Sequence, residues 1–181
     1  MTKEYEVKRV DSEDLRPLTK EGGYEVIPRE LVLGEARKLG LSKKEIPEIR
    51  VEDVRGGYID KTPEGKTFIV IPRREPKWKV PDTLRHELSH IKAGYVSRTE
   101  FGVGSWESYI ENELEALQIQ SGGRLTSNDL EGLVITLVLE EEQPKRETTS
   151  LVMNKAREMG CSERSITIAK RWLKTYWKAL R

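Results

Sequence analysis

Apolar residues recur at intervals of three and four in several stretches of this chain, which is the spacing of one face of a helix. Leu84, Leu88 and Ile91 illustrate the pattern. Residues 81–83, Pro-Asp-Thr, are typical of a helix start, and Gly94 is typical of a helix end. The periodicity predicts four helices, over residues 28–39, 82–93, 106–120 and 127–139.

Between the first two predicted helices the periodicity changes from helical to alternating. Residues 49–72 alternate well enough for two or three short strands. Thr62-Pro-Glu-Gly65 is typical of a hairpin turn, and it separates Tyr58-Ile-Asp60 from Thr67-Phe-Ile-Val-Ile71. Strands that come together in the chain and are followed by helices predict an α+β fold with a small mixed sheet.

Residues 86–90 read His-Glu-Leu-Ser-His, and this HExxH motif holds both histidines of the chain. Residues four apart share one face of a helix, so His86 and His90 are expected to converge on one point. Neutral imidazole nitrogens are preferred ligands of Zn²⁺. Glu87 lies beside the first ligand, where it is placed to act as a general base without binding the metal itself.

A catalytic zinc site needs a third protein ligand, and the sequence restricts its identity. No further histidine exists, and the only cysteine, Cys161, is distant in the chain. A carboxylate on the helix over residues 106–120 is therefore expected. Glu113 is the first choice because it belongs to the apolar face, where an unpaired carboxylate would be costly. Glu115 is the alternative.

Several segments together resemble the ImmA/IrrE metallopeptidases: Gly56-Gly-Tyr58, Thr67–Pro72, Leu84–His90 and Glu113-Leu-Glu-Ala116. The resemblance covers roughly residues 25–125. It implies a zincin-like fold, in which a short sheet precedes the HExxH helix and a ligand helix follows. It also implies a role for four residues, with His86, His90 and Glu113 as zinc ligands and Glu87 as the base. The polar run Leu117–Gly123 departs from the family, and minimal gluzincins share the same ligand set.

The expected activity is that of a zinc-dependent endopeptidase of the gluzincin kind, acting on a protein or peptide. An electrophile for the reacting carbonyl oxygen is also needed, and Tyr109 and Tyr95 are both candidates. By the resemblance, the substrate would be a specific regulatory protein such as a repressor. One alternative is a DNA-binding regulator with a silent or structural metal site, and a second is a toxin- or antitoxin-like partner protein.

Composition limits the class of protein further. The chain has 181 residues, of which 36% are hydrophobic and 35% charged, and it has a single cysteine. No apolar stretch approaches the ~20 residues needed to cross a bilayer, and the N-terminus lacks the apolar part of a signal peptide. These features predict a cytoplasmic protein without a membrane partner. The abundance of Lys and Glu is also typical of thermophiles.

The charge balance changes near Pro144. Residues 144–181 contain ten Lys/Arg and three Asp/Glu, a net charge of +7, so residues 1–143 carry −6 of the total of +1. We therefore predict a metallopeptidase domain over 1–143 and a basic helical segment over 144–181. Residues 155–166 resemble a helix-turn-helix, with Ser162 as a helix cap and Ser165, Thr167, Lys170 and Arg171 towards DNA. A docked helical tail, held by Trp172, Tyr176 and Trp177, and a self-inhibitory tail are the alternatives.

Overall fold

The structure, a computed structural model, describes residues 23–94, 106–139 and 143–180. Within these ranges it is mixed α+β, as the sequence predicts, with six helices and one three-stranded sheet. The elements in chain order are α1 (Arg29–Lys38), β1 (Glu48–Glu52), β2 (Tyr58–Lys61), β3 (Thr67–Pro72), α2 (Val80–Ala93), α3 (Trp106–Gln120), α4 (Ser127–Leu139), α5 (Lys145–Glu158) and α6 (Glu163–Ala179). None of these helices is long and apolar enough to span a membrane.

The sheet is small and mixed, in the order β1-β3-β2. β3 pairs in parallel with β1 and antiparallel with β2, and the predicted turn at residues 62–65 joins β2 to β3. Ile69 and Ile71 of β3 are fully buried on the face that packs against the helices. Phe68 and Val70 are buried as well, so β3 is a central strand buried on both faces, and α2 contacts it.

The predicted helix bounds hold closely. α3 and α4 begin and end at the predicted residues, and Gly94 ends α2 in a left-handed conformation with φ 89°. α2 begins at Val80, two residues earlier than predicted, because Val80 is fully buried in the core. Pro81 is tolerated there, since the amide that proline lacks has no partner in the first turn of a helix.

The described residues form two hydrophobic cores. The sheet core is made by α1, the sheet and α2: Ile27, Val32, Ala36, Leu39, Ile59, Ile69, Ile71, Val80, Leu84 and Leu88. The helical core is made by α3 to α6 and the segments that join them: Ile110, Leu114, Leu125, Leu130, Leu133, Val134, Leu137, Val152, Met153, Ala156, Cys161, Ile166, Ala169, Leu173 and Trp177. α3 belongs to both, since its Ile119 packs against the sheet core. Residues on both sides of position 143/144 share the helical core.

The C-terminal helices α5 and α6 form a pair joined by residues 159–162. Gly160 takes a φ of +83° in this turn, and the Ser162 side chain accepts a hydrogen bond from the Ser165 amide, as predicted for a helix cap. Trp177 is buried in the helical core. Trp172 is 43% exposed and stacks on Tyr176 instead. The pair is therefore integrated into the fold mainly by its aliphatic residues and Trp177.

The packing of α6 predicts a contrast between two neighbouring positions. Leu173→Ala removes a side chain that is 1% exposed in the helical core, so we expect a loss of about 2–5 kcal/mol in the free energy of unfolding. Trp172→Ala should cost about 1 kcal/mol or less, because Trp172 is largely outside that core. Urea denaturation of the full chain measures both. Equal losses would show that α6 is not packed as described.

Candidate metal centre

Two helices meet at the HExxH motif. α2 carries His86, Glu87 and His90, and α3 packs along it and carries Glu113. The His90 side chain is 7% exposed, that of Glu113 16% and that of His86 24%. The motif therefore lies at the edge of the sheet core, with one imidazole buried and the other open to a limited amount of solvent.

Three side chains converge on one point. The His86 Nε2 atom lies 3.2 Å from Glu113 Oε2 and 3.2 Å from His90 Nε2, and His90 Nε2 lies 3.6 Å from Glu113 Oε1. The possible ligand atoms of these residues all lie within 4.8 Å of one another, which is close enough to hold a metal ion. Within the described ranges Glu113 is the carboxylate of this group, and Glu115 is not part of it.

The two imidazoles have opposite electrostatic surroundings. Burial lowers the pKa of His86, but the hydrogen bond and charge of Glu113, with smaller effects from Glu87 and Gln120, raise it to about 9. Burial and the charge of His86 lower the pKa of His90 to about 4, against the pull of Glu113. Glu113 therefore favours the charged form of His86, whereas burial favours the neutral form of His90.

α1 holds α2 in place through a buried carboxylate. Glu35 accepts hydrogen bonds of 2.7 Å from Arg85 and 2.7 Å from Lys38, and its side chain is almost fully buried. Burial opposes ionisation, but these two hydrogen bonds and the charges of both partners together hold the pKa of Glu35 below its usual value. Arg85 directly precedes His86, so this ion pair fixes the part of α2 that carries the first imidazole.

Gly57, the residue before β2, packs against Glu87. A Cβ at residue 57 would lie 2.9 Å from Glu87 Oε1 and 2.8 Å from Thr83 Cγ2. Only a residue without a side chain leaves room for the Glu87 carboxylate in its observed position. Local sequence patterns do not indicate this contact, because it joins segments thirty residues apart.

Gln120, at the end of α3, is a further residue of the site that was not predicted from the sequence. Its Oε1 atom lies 3.2 Å from His86 Nδ1. The only signal in the sequence is its spacing, since Gln120 follows Glu113 by seven residues, or about two helical turns. That spacing places both side chains on the face of α3 that meets α2.

Tyr109 lies one turn before Glu113 on α3. Its ring packs against the helical core and stacks on Trp106, with 5.3 Å between ring centroids. The suggested role of Tyr109 as an electrophile stays a prediction. Tyr95, the other candidate, lies outside the described residues.

Comparison with protein-family models, curated proteins and solved structures finds no match to this chain. The ImmA/IrrE resemblance therefore rests on the motif residues alone.

The contact between Gly57 and Glu87 predicts a difference between two adjacent glycines. Gly57→Ala should displace the Glu87 or Thr83 side chain and cost about 1–3 kcal/mol of stability, as overpacking typically does. Gly56→Ala is the matched control, because a Cβ there meets nothing within 4 Å and neither glycine has a positive φ. Chemical denaturation compares the two variants, and a Gly57→Ala protein as stable as wild type would contradict the described contact.

Proposed function

We propose that this protein is a zinc-dependent endopeptidase of the gluzincin kind. The observation that carries the proposal is the convergence of His86, His90 and Glu113, with Glu87 directly beside the first imidazole. Two imidazoles and one carboxylate form the ligand set of a group of zinc peptidases, in which a fourth position remains for water or substrate. The resemblance of the motif segments to the ImmA/IrrE metallopeptidases is consistent with this activity.

The spacing of the donor atoms fits a tetrahedral ion. Ligands about 2.0–2.1 Å from zinc in a tetrahedron lie roughly 3.3–3.4 Å from one another. His86 Nε2 lies 3.2 Å from Glu113 Oε2 and 3.2 Å from His90 Nε2, close to this spacing, and His90 Nε2 lies 3.6 Å from the other Glu113 oxygen, Oε1. Hydrogen bonding explains these distances less completely, because a single hydrogen on His86 Nε2 cannot point at both Glu113 Oε2 and His90 Nε2. A cation between the three side chains would stabilise all of their contacts together.

The positions of the side chains support a specific reaction. When bound, zinc supplies Lewis-acid chemistry, polarising a carbonyl and making water more acidic. His86, His90 and Glu113 would hold it between α2 and α3. Glu87 would accept a proton from the attacking water and return it to the leaving amine. Gly57 leaves the space in which the Glu87 carboxylate lies. By the resemblance, the substrate would be a regulatory protein such as a repressor.

The metal ligands give the first test of the proposal. Wild-type protein should bind about one zinc ion per chain, and His86→Ala or His90→Ala should abolish this binding. Removing a residue that only hydrogen-bonds to a metal ligand typically weakens metal affinity roughly 10–100-fold, and Glu113→Ala should weaken zinc affinity by more than this. The matched variant Glu115→Ala should have little effect. Competition with a chromophoric chelator measures these affinities. The reverse ranking of Glu113 and Glu115 would contradict the assigned ligand set.

A second test separates catalysis from metal binding. Glu87→Gln should retain zinc and the fold but lose hydrolysis by about 10²–10⁴-fold, because the amide cannot accept the proton. Zinc content, unfolding and cleavage of proteins encoded by adjacent genes are measured on the same preparation. If Glu87→Gln cleaved as fast as wild type, Glu87 would not be the base.

Nucleic-acid binding by α6 is a second candidate function, because one charge dominates its exposed surface. Five basic residues of α6 are exposed: Arg164, Lys170, Arg171, Lys174 and Lys178. Its one acidic residue, Glu163, pairs with Arg157 of α5. Thr167, Lys170 and Arg171 are exposed as a helix that reads DNA requires, whereas Ser165 is half-buried and hydrogen-bonds to Ser162.

Salt dependence tests this second function. If α6 contacts phosphates, the affinity for duplex DNA should fall as the salt concentration rises. In a plot of the logarithm of the binding constant against the logarithm of the salt concentration, each phosphate contact should make the slope steeper by about 0.9. Substituting both Lys170 and Arg171 by Gln should reduce the slope by about 2, whereas Lys43→Gln with Lys44→Gln, at two exposed positions between α1 and β1, should not. Absence of binding at low ionic strength would remove this function.

A further inference from the structure

The Gln120 side chain bridges α3 to two groups of α2. Its Oε1 atom lies 3.2 Å from His86 Nδ1, and its Nε2 atom donates a hydrogen bond of 3.4 Å to the backbone carbonyl of Asp82. Asp82 lies one turn before His86, so the side-chain amide of Gln120 bridges one turn of α2. The same face of α3 carries Glu113, which contacts the other ring nitrogen of His86.

These contacts leave only one consistent arrangement of hydrogens. The Asp82 carbonyl can only accept, so the NH₂ group of Gln120 must face it. The oxygen of the amide then faces His86, and it can only accept as well. Nδ1 of His86 must therefore carry a hydrogen. In the neutral imidazole this leaves the lone pair on Nε2, the atom that lies towards Glu113 and His90.

We propose that Gln120 is a positioning residue, which fixes His86 in the Nδ1–H form and directs its Nε2 atom towards the metal. The proposal rests on the metal-binding part of the proposed function and is independent of peptidase activity. Partners of this type orient metal-binding histidines, and their removal commonly costs about 10–100-fold in metal affinity. Gln120 combines the acceptor that orients the ring with a donor that anchors the amide to α2.

The affinity of the full chain for zinc alone tests the proposal with three variants. Gln120→Leu keeps the approximate size of the side chain but removes the acceptor, and it should bind zinc about 10–100-fold more weakly. Gln120→Glu keeps an acceptor for Nδ1–H and should retain an affinity within about 10-fold of wild type. Gln118→Leu is the control, because that side chain hydrogen-bonds to the Gly123 carbonyl, away from the metal ligands.

Nitrogen-15 NMR of the zinc-loaded protein shows which ring nitrogen of each histidine carries a hydrogen and which binds zinc. The chain has only two histidines, so each imidazole can be assigned through its correlations to the backbone of its own residue. We expect wild-type His86 to show a protected Nδ1–H and a zinc-bound Nε2, and Gln120→Leu to lose this protection. The proposal is overturned if Gln120→Leu binds zinc as tightly as wild type, or if zinc is bound through Nδ1. A zinc-loaded wild type that cleaves nothing would count against the peptidase function alone.

Discussion

The position of Glu113 between two imidazoles is the contact on which the proposed chemistry depends. Its two oxygens lie 3.2 Å from His86 Nε2 and 3.6 Å from His90 Nε2, so both α2 and α3 must be held to within a fraction of an ångström. A helix pair with no other support would not maintain this geometry, because long side chains lose substantial conformational entropy when they are fixed. The fold provides the support from opposite sides.

α2 is supported from the sheet side and α3 from the helical side. Leu84 and Leu88 bury α2 in the sheet core, and the Glu35–Arg85 ion pair connects it to α1. Ile110 and Leu114 anchor α3 in the helical core, to which α5 and α6 contribute. The basic C-terminal helices thus share a core with the helix that carries Glu113. Their exposed cations are available to a polyanion without disturbing that core, since the residues of α6 that pack inwards are apolar.

The sequence was most informative where local chemistry decides the structure. The bounds of α3, the Gly94 helix end and the Ser162 cap follow from short-range patterns, and HExxH with Glu113 identifies the cluster that the structure brings together. The sequence was least informative where a residue contacts another that is distant along the chain. Gly57 meets Glu87 across thirty residues, Gln120 meets His86 across 34, and Val80 extends α2 because it fills the sheet core. Residues 144–181 were separable by charge, but their apolar residues join the helical core.

The most direct test of the central claim is a crystal structure of zinc-loaded protein, with anomalous diffraction collected on both sides of the zinc absorption edge. The account predicts one strong anomalous peak per chain, bounded by His86 Nε2, His90 Nε2 and the Glu113 carboxylate at roughly 2.0–2.2 Å. A peak at another position, a site that lacks Glu113, or no peak after loading would contradict it.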